Sequence, residues 1–518
     1  MGTYETAWVL GLGASGEAAA RLLLAEGTDV QILDQNDTEL LRQKSKRLKA
    51  LGACVQLGHS ELPPGNVSVC IVSPGVPSDS FLFQAVEARG IPMISELELG
   101  WSRANSRVLA VTGSNGKSTL VKLCADSLEH AGLKVAIAGN YEFGGAVSGC
   151  CDSSGVSSSV DEFSGPRKEI EGEHLPGPTQ AKLEASPRRE PKANAGPGEQ
   201  GMPVPVSRVV EEQKALDWLV LEVSSFQLET VKLFRPDVGV LLNLFSNHLD
   251  RHGDLATYQQ LKSRLFSRMT EVDTGIVHED MMTEIVSLAE SKNQWISFGL
   301  SPRSSFFFRE GAVHCNAGGS PVSLAGTIFE NEILGLTGAA AVAAMSACGV
   351  SQYHVESVAR EFKPLPHRMQ DIGTWDGVRF INDSKATNLA AMNAALTNVS
   401  KPVRLIAGGL SKHEPYESAK PLLAEKVTAV YLIGKAARAM AAAWQDVVPC
   451  VMSLDLEHAV LSACEQALTG DTILFSPACA SFDEFRDFND RGNCFVKCVK
   501  LLKRQKKTFD MKEKISDI

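Results

Sequence analysis

The run Val108-Leu109-Ala110-Val111-Thr112-Gly113-Ser114-Asn115-Gly116-Lys117-Ser118-Thr119-Leu120-Val121 passes from an apolar strand through a glycine loop into a helix. Gly113 and Gly116 let the backbone turn so that successive N–H groups face an anion. The helix that opens there adds the positive end of its dipole. Lys117 offers a point charge to the β and γ phosphates of a nucleotide, and Ser118 or Thr119 a hydroxyl to Mg²⁺. The general phosphate-loop pattern has a glycine at position 111 or 112, where this chain has Val111 and Thr112. The stretch therefore predicts an α/β nucleotide-binding domain with a variant loop.

Outward from that loop, each apolar strand delivers polar residues at its carboxyl end, where open α/β sheets bind ligands. Trp218-Leu219-Val220-Leu221-Glu222-Val223 leads into Ser224-Ser225-Phe226-Gln227. The strand from Val238 leads into Asn243-Leu244-Phe245-Ser246-Asn247-His248-Leu249-Asp250-Arg251-His252. A helix is expected over 255–269, and its Lys262 reads by itself as an ordinary exposed lysine. Residues 148–212 lose periodicity and fill with Ser, Gly, Pro, Glu and Lys. Such a composition cannot bury enough apolar surface to offset its chain entropy, so it predicts a flexible insertion.

Upstream, the first hundred residues alternate strands and amphipathic helices. Gly11-Leu12-Gly13-Ala14-Ser15-Gly16 is a full dinucleotide fingerprint, and Asp34 closes the second strand where a ribose-binding acid belongs. A nicotinamide dehydrogenase would use that fingerprint, but it leaves the phosphate loop and the His248 loop unexplained. Toward the C-terminus a third domain opens around Leu365-Pro366-His367-Arg368, and its strands lead into Asn382-Asp383-Ser384-Lys385-Ala386-Thr387-Asn388, into Gly408-Gly409, and into Ser476-Pro477-Ala478-Cys479-Ala480-Ser481-Phe482-Asp483. The expected architecture is α/β in three domains. These are Rossmann-like over 1–104, P-loop ATPase-like over 105–363, and Rossmann-like over 364–518.

At 518 residues the chain exceeds a single core, and 44% hydrophobic with 22% charged residues is ordinary for an α/β enzyme. A net charge of −10 argues against a nucleic-acid partner. No stretch reaches the length of a membrane span, and no basic segment followed by an apolar one opens the chain. A cytoplasmic protein with no membrane partner is expected. The twelve cysteines are scattered, some inside apolar runs such as Val69-Cys70-Ile71-Val72, as suits reduced and buried thiols. Neither Cys150-Cys151 nor the Cys494 and Cys498 pair has zinc-site spacing.

Together these motifs resemble the Mur ligases over nearly the whole chain, apart from the insertion and the tail. Ser114-Asn115-Gly116-Lys117-Ser118-Thr119, residues 243–250 and His367-Arg368 resemble the family at large. Residues 221–229, 382–388 and 476–481 resemble its D-glutamate-adding branch. The resemblance implies ATP-driven amide formation in peptidoglycan synthesis, with D-glutamate joined to UDP-N-acetylmuramoyl-L-alanine. The alanyl carboxylate would attack the γ-phosphorus, and the amine would then displace phosphate from the acyl phosphate. A sister ligase taking another amino acid, or a catalytically weakened relative, is the alternative.

The same resemblance implies roles for particular residues. Lys117, Glu222, His248, Lys262 and Lys385 would be catalytic. Ser118, Thr119, Glu222, His248 and a carbamylated Lys262 would hold Mg²⁺. Gly113, Ser114, Asn115, Gly116, Lys117, Ser118 and Thr119, with Arg368 and Asp383, would bind ATP. Thr387, Lys412, Ser481, Phe482 and Phe488 would hold D-glutamate over an apolar floor. Gly11, Gly13, Ser15, Gly16, Asp34 and Asn140 would meet the UDP-sugar, and a monomer is expected. Two segments depart from the pattern. Tyr141-Glu142-Phe143-Gly144 follows Gly139-Asn140 where the family has Gly-Asn-Ile-Gly, and Thr337, Gly338 and Ala341 stand where it has a His-Asn pair and a later Asn near the adenine.

Overall fold

The computed structural model describes residues 3–58, 61–65, 67–141, 203–212, 215–245, 249–411 and 415–516. These residues form three sheets, each flanked by helices. In the first, β1 (Thr6–Leu10), β2 (Asp29–Asp34), β3 (Cys54–Leu57), β4 (Val69–Val72) and β5 (Met93–Ser95) run parallel in the order 3-2-1-4-5. The order reverses between β1 and β4, so the loops after these strands open on one crevice. Ser73 Oγ donates there to Gly11 O at 2.9 Å. Position 16 tolerates only glycine, because a Cβ would lie 1.9 Å from Gly11 O.

The second sheet comprises β6 (Arg107–Thr112), β7 (Val135–Gly139), β8 (Trp218–Glu222), β9 (Val238–Leu241), β10 (Thr274–His278), β11 (Gln294–Gly299), β12 (Phe306–Arg309), β13 (Ala312–Cys315) and β14 (Val322–Ser323). Its order is 14-13-12-11-10-9-6-8-7, parallel except for the antiparallel edge from β12 to β14. β6 reads as an unbroken apolar run because both of its faces are covered. Leu109 and Val111 enter one core, and Val108 and Ala110 the other. Since β6 lies between β8 and β9, the glycine loop, Glu222 and Asn243 emerge side by side.

The third sheet takes β15 (Gln370–Trp375), β16 (Val378–Asn382), β17 (Val403–Gly408), β18 (Val427–Ile433), β19 (Cys450–Met452) and β20 (Thr472–Phe475) in the order 15-16-20-17-18-19. Only β15 runs antiparallel to its neighbour. β20 sits between β16 and β17, so the loops at 382–388, 408–411 and 476–483 share one edge. The expected succession of α/β folds is therefore what the chain forms. No helix among the described residues is long and apolar enough to cross a membrane.

The sequence reading of 148–212 needs correction at its end. Residues 148–202, including Cys150 and Cys151, lie outside the described residues, but Val206–Glu212 is a helix. Val206 and Ser207 are fully buried, and Val209 nearly so. The helix packs on Glu96–Trp101, whose Gly100 leaves room for it: a Cβ there would meet Ser207 N at 2.6 Å. Glu96 Oε1 accepts the Ser207 N–H at 2.7 Å. Three valines within seven residues, on one face of a helix, outweigh the polar composition of the longer stretch. The helix expected over 255–269 is shorter, Leu255–Ser263.

Candidate active site

Gly113 and Gly116 adopt φ of 149° and 81°, which the tight loop requires. A Cβ on Gly116 would also lie 2.7 Å from Leu242 Cδ2. Asn243, at the end of β9, pins the loop: its Oδ1 accepts the N–H groups of Ser114 (3.0 Å) and Asn115 (2.9 Å), and its Nδ2 donates to Asn115 O (3.0 Å). Ser114 and Asn115 thus give these amides to the protein. The anion is left the first N–H groups of the helix Lys117–His130. Lys117 Nζ donates to Gly113 O and Ser114 O, each at 3.0 Å, so its charge sits over the loop. Thr119 is half-buried on the same helix.

Beside this loop lies a buried cluster. Ser118 Oγ donates to Glu222 Oε2 at 2.6 Å and accepts from Arg368 Nη2 at 2.8 Å. One hydroxyl thus joins the phosphate loop, the acid ending β8 and an arginine from the chain's last third. Lys262 is 1% exposed, contrary to its solvent-facing reading in isolation. Its Nζ donates to Thr112 Oγ1 at 3.0 Å and lies 4.8 Å from the Tyr258 ring. Burial lowers its pKa well below the usual lysine value, the charge of Lys117 acts in the same direction, and Glu222 partly opposes them. An amine so placed favours its neutral, nucleophilic form. His248 lies outside the described residues.

His367 adopts φ of 58° and is buried against Gly492. Its Nδ1 accepts from Asn382 Nδ2 at 2.9 Å, and burial lowers its pKa to about 4, so the ring is neutral. That anchored turn aims Arg368 at Ser118. Asp383 Oδ1 accepts from Met369 N (3.1 Å) and Oδ2 from Ser476 Oγ (2.9 Å). Burial raises its pKa to about 7, against the pull of these bonds and of Arg368. Lys385 Nζ lies 3.6 Å from the centre of the Phe488 ring. Phe488 is itself buried, and Ser481 is 2% exposed, whereas Phe482 is 70% exposed. In this arrangement Phe482 faces solvent and forms no floor. Thr387 is half-buried, and its N–H donates to Lys385 O at 2.8 Å. Lys412 lies outside the described residues.

At the first sheet, Gly11 (φ 84°) and Gly13 begin the turn that leads into the helix Ala14–Ala25, with Ser15 half-buried in its first turn. Asp34 Oδ2 accepts from Leu12 N at 2.7 Å and Oδ1 from Asn36 N at 2.9 Å, so this acid first of all shapes the glycine loop. Asn140 is half-buried, and its N–H donates to Glu222 O at 2.7 Å, tying the end of β7 to the buried acid. Of the departing residues, Thr337 and Ala341 are buried in the helix Glu332–Ala347, and a Cβ on Gly338 would lie 2.5 Å from Leu324 Cδ1. This helix fills its own core.

Several organising residues carried no role in the sequence reading. Asn243 stood in a quoted motif, and its place at a strand end could have marked it as a loop anchor. Asn388 caps the helix Leu389–Asn398 and donates from Nδ2 to Asn115 Oδ1 at 3.2 Å. Arg491 is 1% exposed and donates to Ser384 Oγ (3.1 Å), Ser384 O (2.8 Å) and Ala480 O (3.2 Å). It binds the 382–388 and 476–481 loops, two of the three segments that resemble the D-glutamate branch, to each other. Nothing in the surrounding charged sequence distinguishes it.

Two family models match the chain: Mur ligase middle domain over residues 188–349, and Mur ligase, glutamate ligase domain over 367–479. UDP-N-acetylmuramoylalanine–D-glutamate ligase of Koribacter versatilis is 33% identical over 512 residues, covering 96% of this chain and 98% of the relative. The protein of that name from Bacillus subtilis is 30% identical over 507 residues, covering 96% and 97%. Among solved structures, MurF ligase from Thermotoga maritima in complex with ADP superposes with a TM-score of 0.55 at 15% identity, covering 91% of this chain and 95% of that one. UDP-N-acetylmuramate-alanine ligase from the same organism gives 0.53 at 14%, covering 96% and 99%. These structures share the fold.

Proposed function

We propose, from the premise that this chain belongs to the Mur ligase family, that it joins D-glutamate to UDP-N-acetylmuramoyl-L-alanine at the expense of ATP. The observation that carries this reading is the Ser118 hydroxyl, held at 2.6 Å by Glu222 and at 2.8 Å by Arg368. It brings a phosphate loop, a buried acid and a cross-domain cation to one point, as phosphoryl transfer to a carboxylate requires. Relatives covering nearly the whole chain carry the D-glutamate name, which supports the choice of amino acid.

In this reading residues 1–104 bind the UDP moiety, 105–363 bind ATP and 364–518 bind the incoming amino acid. The helix N-terminus and Lys117 hold the γ-phosphate while the alanyl carboxylate attacks it. ADP leaves, and an acyl phosphate remains. Arg368, Asp383 and Lys385 meet the nucleotide and that acyl phosphate from the third domain. Thr387, Lys412 and Ser481 hold D-glutamate, whose amine attacks the carbonyl and expels phosphate.

The Ser118 hydroxyl and the Glu222 carboxylate, adjacent and buried, are hard oxygen donors that fit Mg²⁺. Thr119, His248 and Lys262 would complete its surroundings. The neutral amine favoured at Lys262 is the form that takes up carbon dioxide, and the resulting carbamate is an anion suited to a second Mg²⁺. When bound, the metal would neutralise charge on the β and γ phosphates. In this reading the enzyme works in the cytoplasm, where ATP and sugar nucleotides are at hand, and as a monomer.

The deciding experiment follows ADP formation with ATP, UDP-N-acetylmuramoyl-L-alanine and a panel of amino acids. D-glutamate should give the highest kcat/KM. A preference for another amino acid would make the chain a sister ligase, and no ADP with any of them would overturn the reading.

A further inference from the structure

A contact between the first and second sheets has no part in the chemistry above. Arg251 lies in the short helix Leu249–His252, just beyond the His248 loop. Its Nε and Nη2 donate to Glu229 Oε1 and Oε2 at 3.0 and 2.6 Å, a bidentate pair. Its Nη1 donates to Pro74 O at 3.1 Å, and Nη2 also to Val76 O at 3.2 Å. The guanidinium covers the Phe226 ring, 4.4 Å from its centre. Both side chains of the ion pair are largely buried, at 18% and 14% exposure.

Pro74 and Val76 belong to the loop after β4. The same loop carries Ser73, whose hydroxyl donates to Gly11 O at 2.9 Å. Val76 also packs against the glycine turn, since a Cβ on Gly11 would lie 2.9 Å from Val76 Cγ2. One guanidinium, fixed by Glu229 to the second sheet's side, therefore grips the wall of the sugar-nucleotide loop. The contacts continue the other way. His252 Nε2 is 2.9 Å from Ser225 Oγ, and its ring centre is 5.5 Å from that of Tyr258. Tyr258 OH is 3.3 Å from Ser114 Oγ of the phosphate loop. The sugar-nucleotide loop thus meets Arg251 directly, and the phosphate loop is reached from the adjacent His252 through Tyr258 of the following helix.

We propose that Arg251 is a positioning residue that couples the two nucleotide loops, so that filling the sugar-nucleotide site favours binding at the phosphate loop. The proposal rests on the substrate assignment made above. Arginine suits the task because its planar fork serves a carboxylate and two carbonyls at once. A lysine keeps the charge but offers a single point of contact.

The test measures binding of a non-hydrolysable ATP analogue to the full chain by calorimetry, with and without saturating UDP-N-acetylmuramoyl-L-alanine. In the unsubstituted protein the sugar nucleotide should tighten analogue binding about fivefold or more, with the reverse effect equal in size. Arg251→Lys should reduce that ratio to about one, with each ligand alone binding within about twofold of the unsubstituted protein. Arg251→Ala leaves Glu229 uncompensated, so its melting temperature is read beside its binding. A ratio that survives Arg251→Lys, or a loss of both single affinities at constant ratio, overturns the coupling role. So does an unsubstituted protein that binds both ligands independently. Analogue binding with no sugar-nucleotide binding would instead overturn the substrate assignment, which keeps the two failures apart.

Discussion

Excising residues 142–202 and excising residues 142–210 should have opposite consequences. The first cut falls where the chain is already paired: Gly139 N donates to Val204 O at 2.8 Å, and Val204 N to Tyr141 O at 3.1 Å. A turn of a few glycine and asparagine residues can rejoin 141 to 203 without moving either end. The second cut removes the start of the helix Val206–Glu212, with its buried Val206 and Val209. At roughly 1.5–3 kcal/mol each, losing these two side chains costs about 3–6 kcal/mol. Glu96 loses the Ser207 N–H, a bond to a buried carboxyl worth roughly 1.5–3 kcal/mol. The sum, roughly 5–9 kcal/mol, matches the whole stability of an ordinary domain. Urea unfolding followed by circular dichroism, together with ADP release, would compare the two proteins. The shorter excision should keep both the unfolding midpoint and turnover, and the longer should be unfolded or insoluble. Equal midpoints would refute the structural role assigned to residues 203–212.

Lys117→Ala should lower turnover by at least about a hundredfold, the scale of losing one electrostatic contact to the transition state, with little change in melting temperature. Lys412→Ala should raise the KM for D-glutamate about ten- to a hundredfold and Thr387→Ala by less, leaving the KM for ATP nearly unchanged. Folded His367 has a pKa lowered to about 4, so between about pH 6.5 and 4 the unfolded chain takes up a proton that the native state refuses. Stability is therefore lost as pH falls through that window, and His367→Gln should flatten the urea midpoint there. Asp383, raised to about 7, works in the other sense: between about pH 4 and 7 its folded form keeps a proton that the unfolded chain releases, so its contribution falls as pH rises. The Asp383→Asn variant should gain stability relative to its parent above pH 7.

Strand ends were the most legible part of this chain, because apolar runs closed by polar residues report burial and exit point together. The glycine loop, Glu222 and Asn243 lie at the carboxyl ends of neighbouring strands of the second sheet, and the 382–388 loop at the carboxyl end of β16 in the third, where their motifs placed them. Lys262 shows where that reading ends. Its helix has weak amphipathicity, and although Tyr258 lies one turn away on the same helix, the Thr112 hydroxyl of β6 that takes its Nζ is distant in sequence. Local pattern holds no trace of such a contact. Arg491 was hidden for the same reason, since its partners lie more than a hundred residues away at Ser384 as well as nearby at Ala480. Composition misled at 203–212, where a short apolar helix follows a long polar stretch and is averaged into it. Phe482 was assigned by resemblance to an apolar floor, but an exposed ring reports only that this loop presents it outward.

The three sheets are joined unequally. The helix Glu96–Trp101 drives Leu97 into the second sheet's core, and Trp101 meets Phe234 edge-on with ring centres 5.6 Å apart. Glu98 reinforces the seam by accepting from the N–H groups of Lys232 and Leu233. The third sheet has no such seam among the described residues: the core of the second closes at Leu365, and those of the third begin beyond it. Across that gap run the polar contacts of Arg368 with Ser118 and of Asn388 with Asn115. Each polar contact nets about 0.5–1.5 kcal/mol, or up to about 3 where a charge takes part, and can be exchanged for bonds to water or phosphate. Prying Leu97 and Trp101 from their core would cost several kcal/mol with nothing in return. Relative movement is therefore cheapest between the phosphate loop and the unit that carries Arg368, Lys385 and Thr387. Both of these polar contacts reach residues of the glycine loop, so a nucleotide arriving there competes for groups that help to set the unit's position.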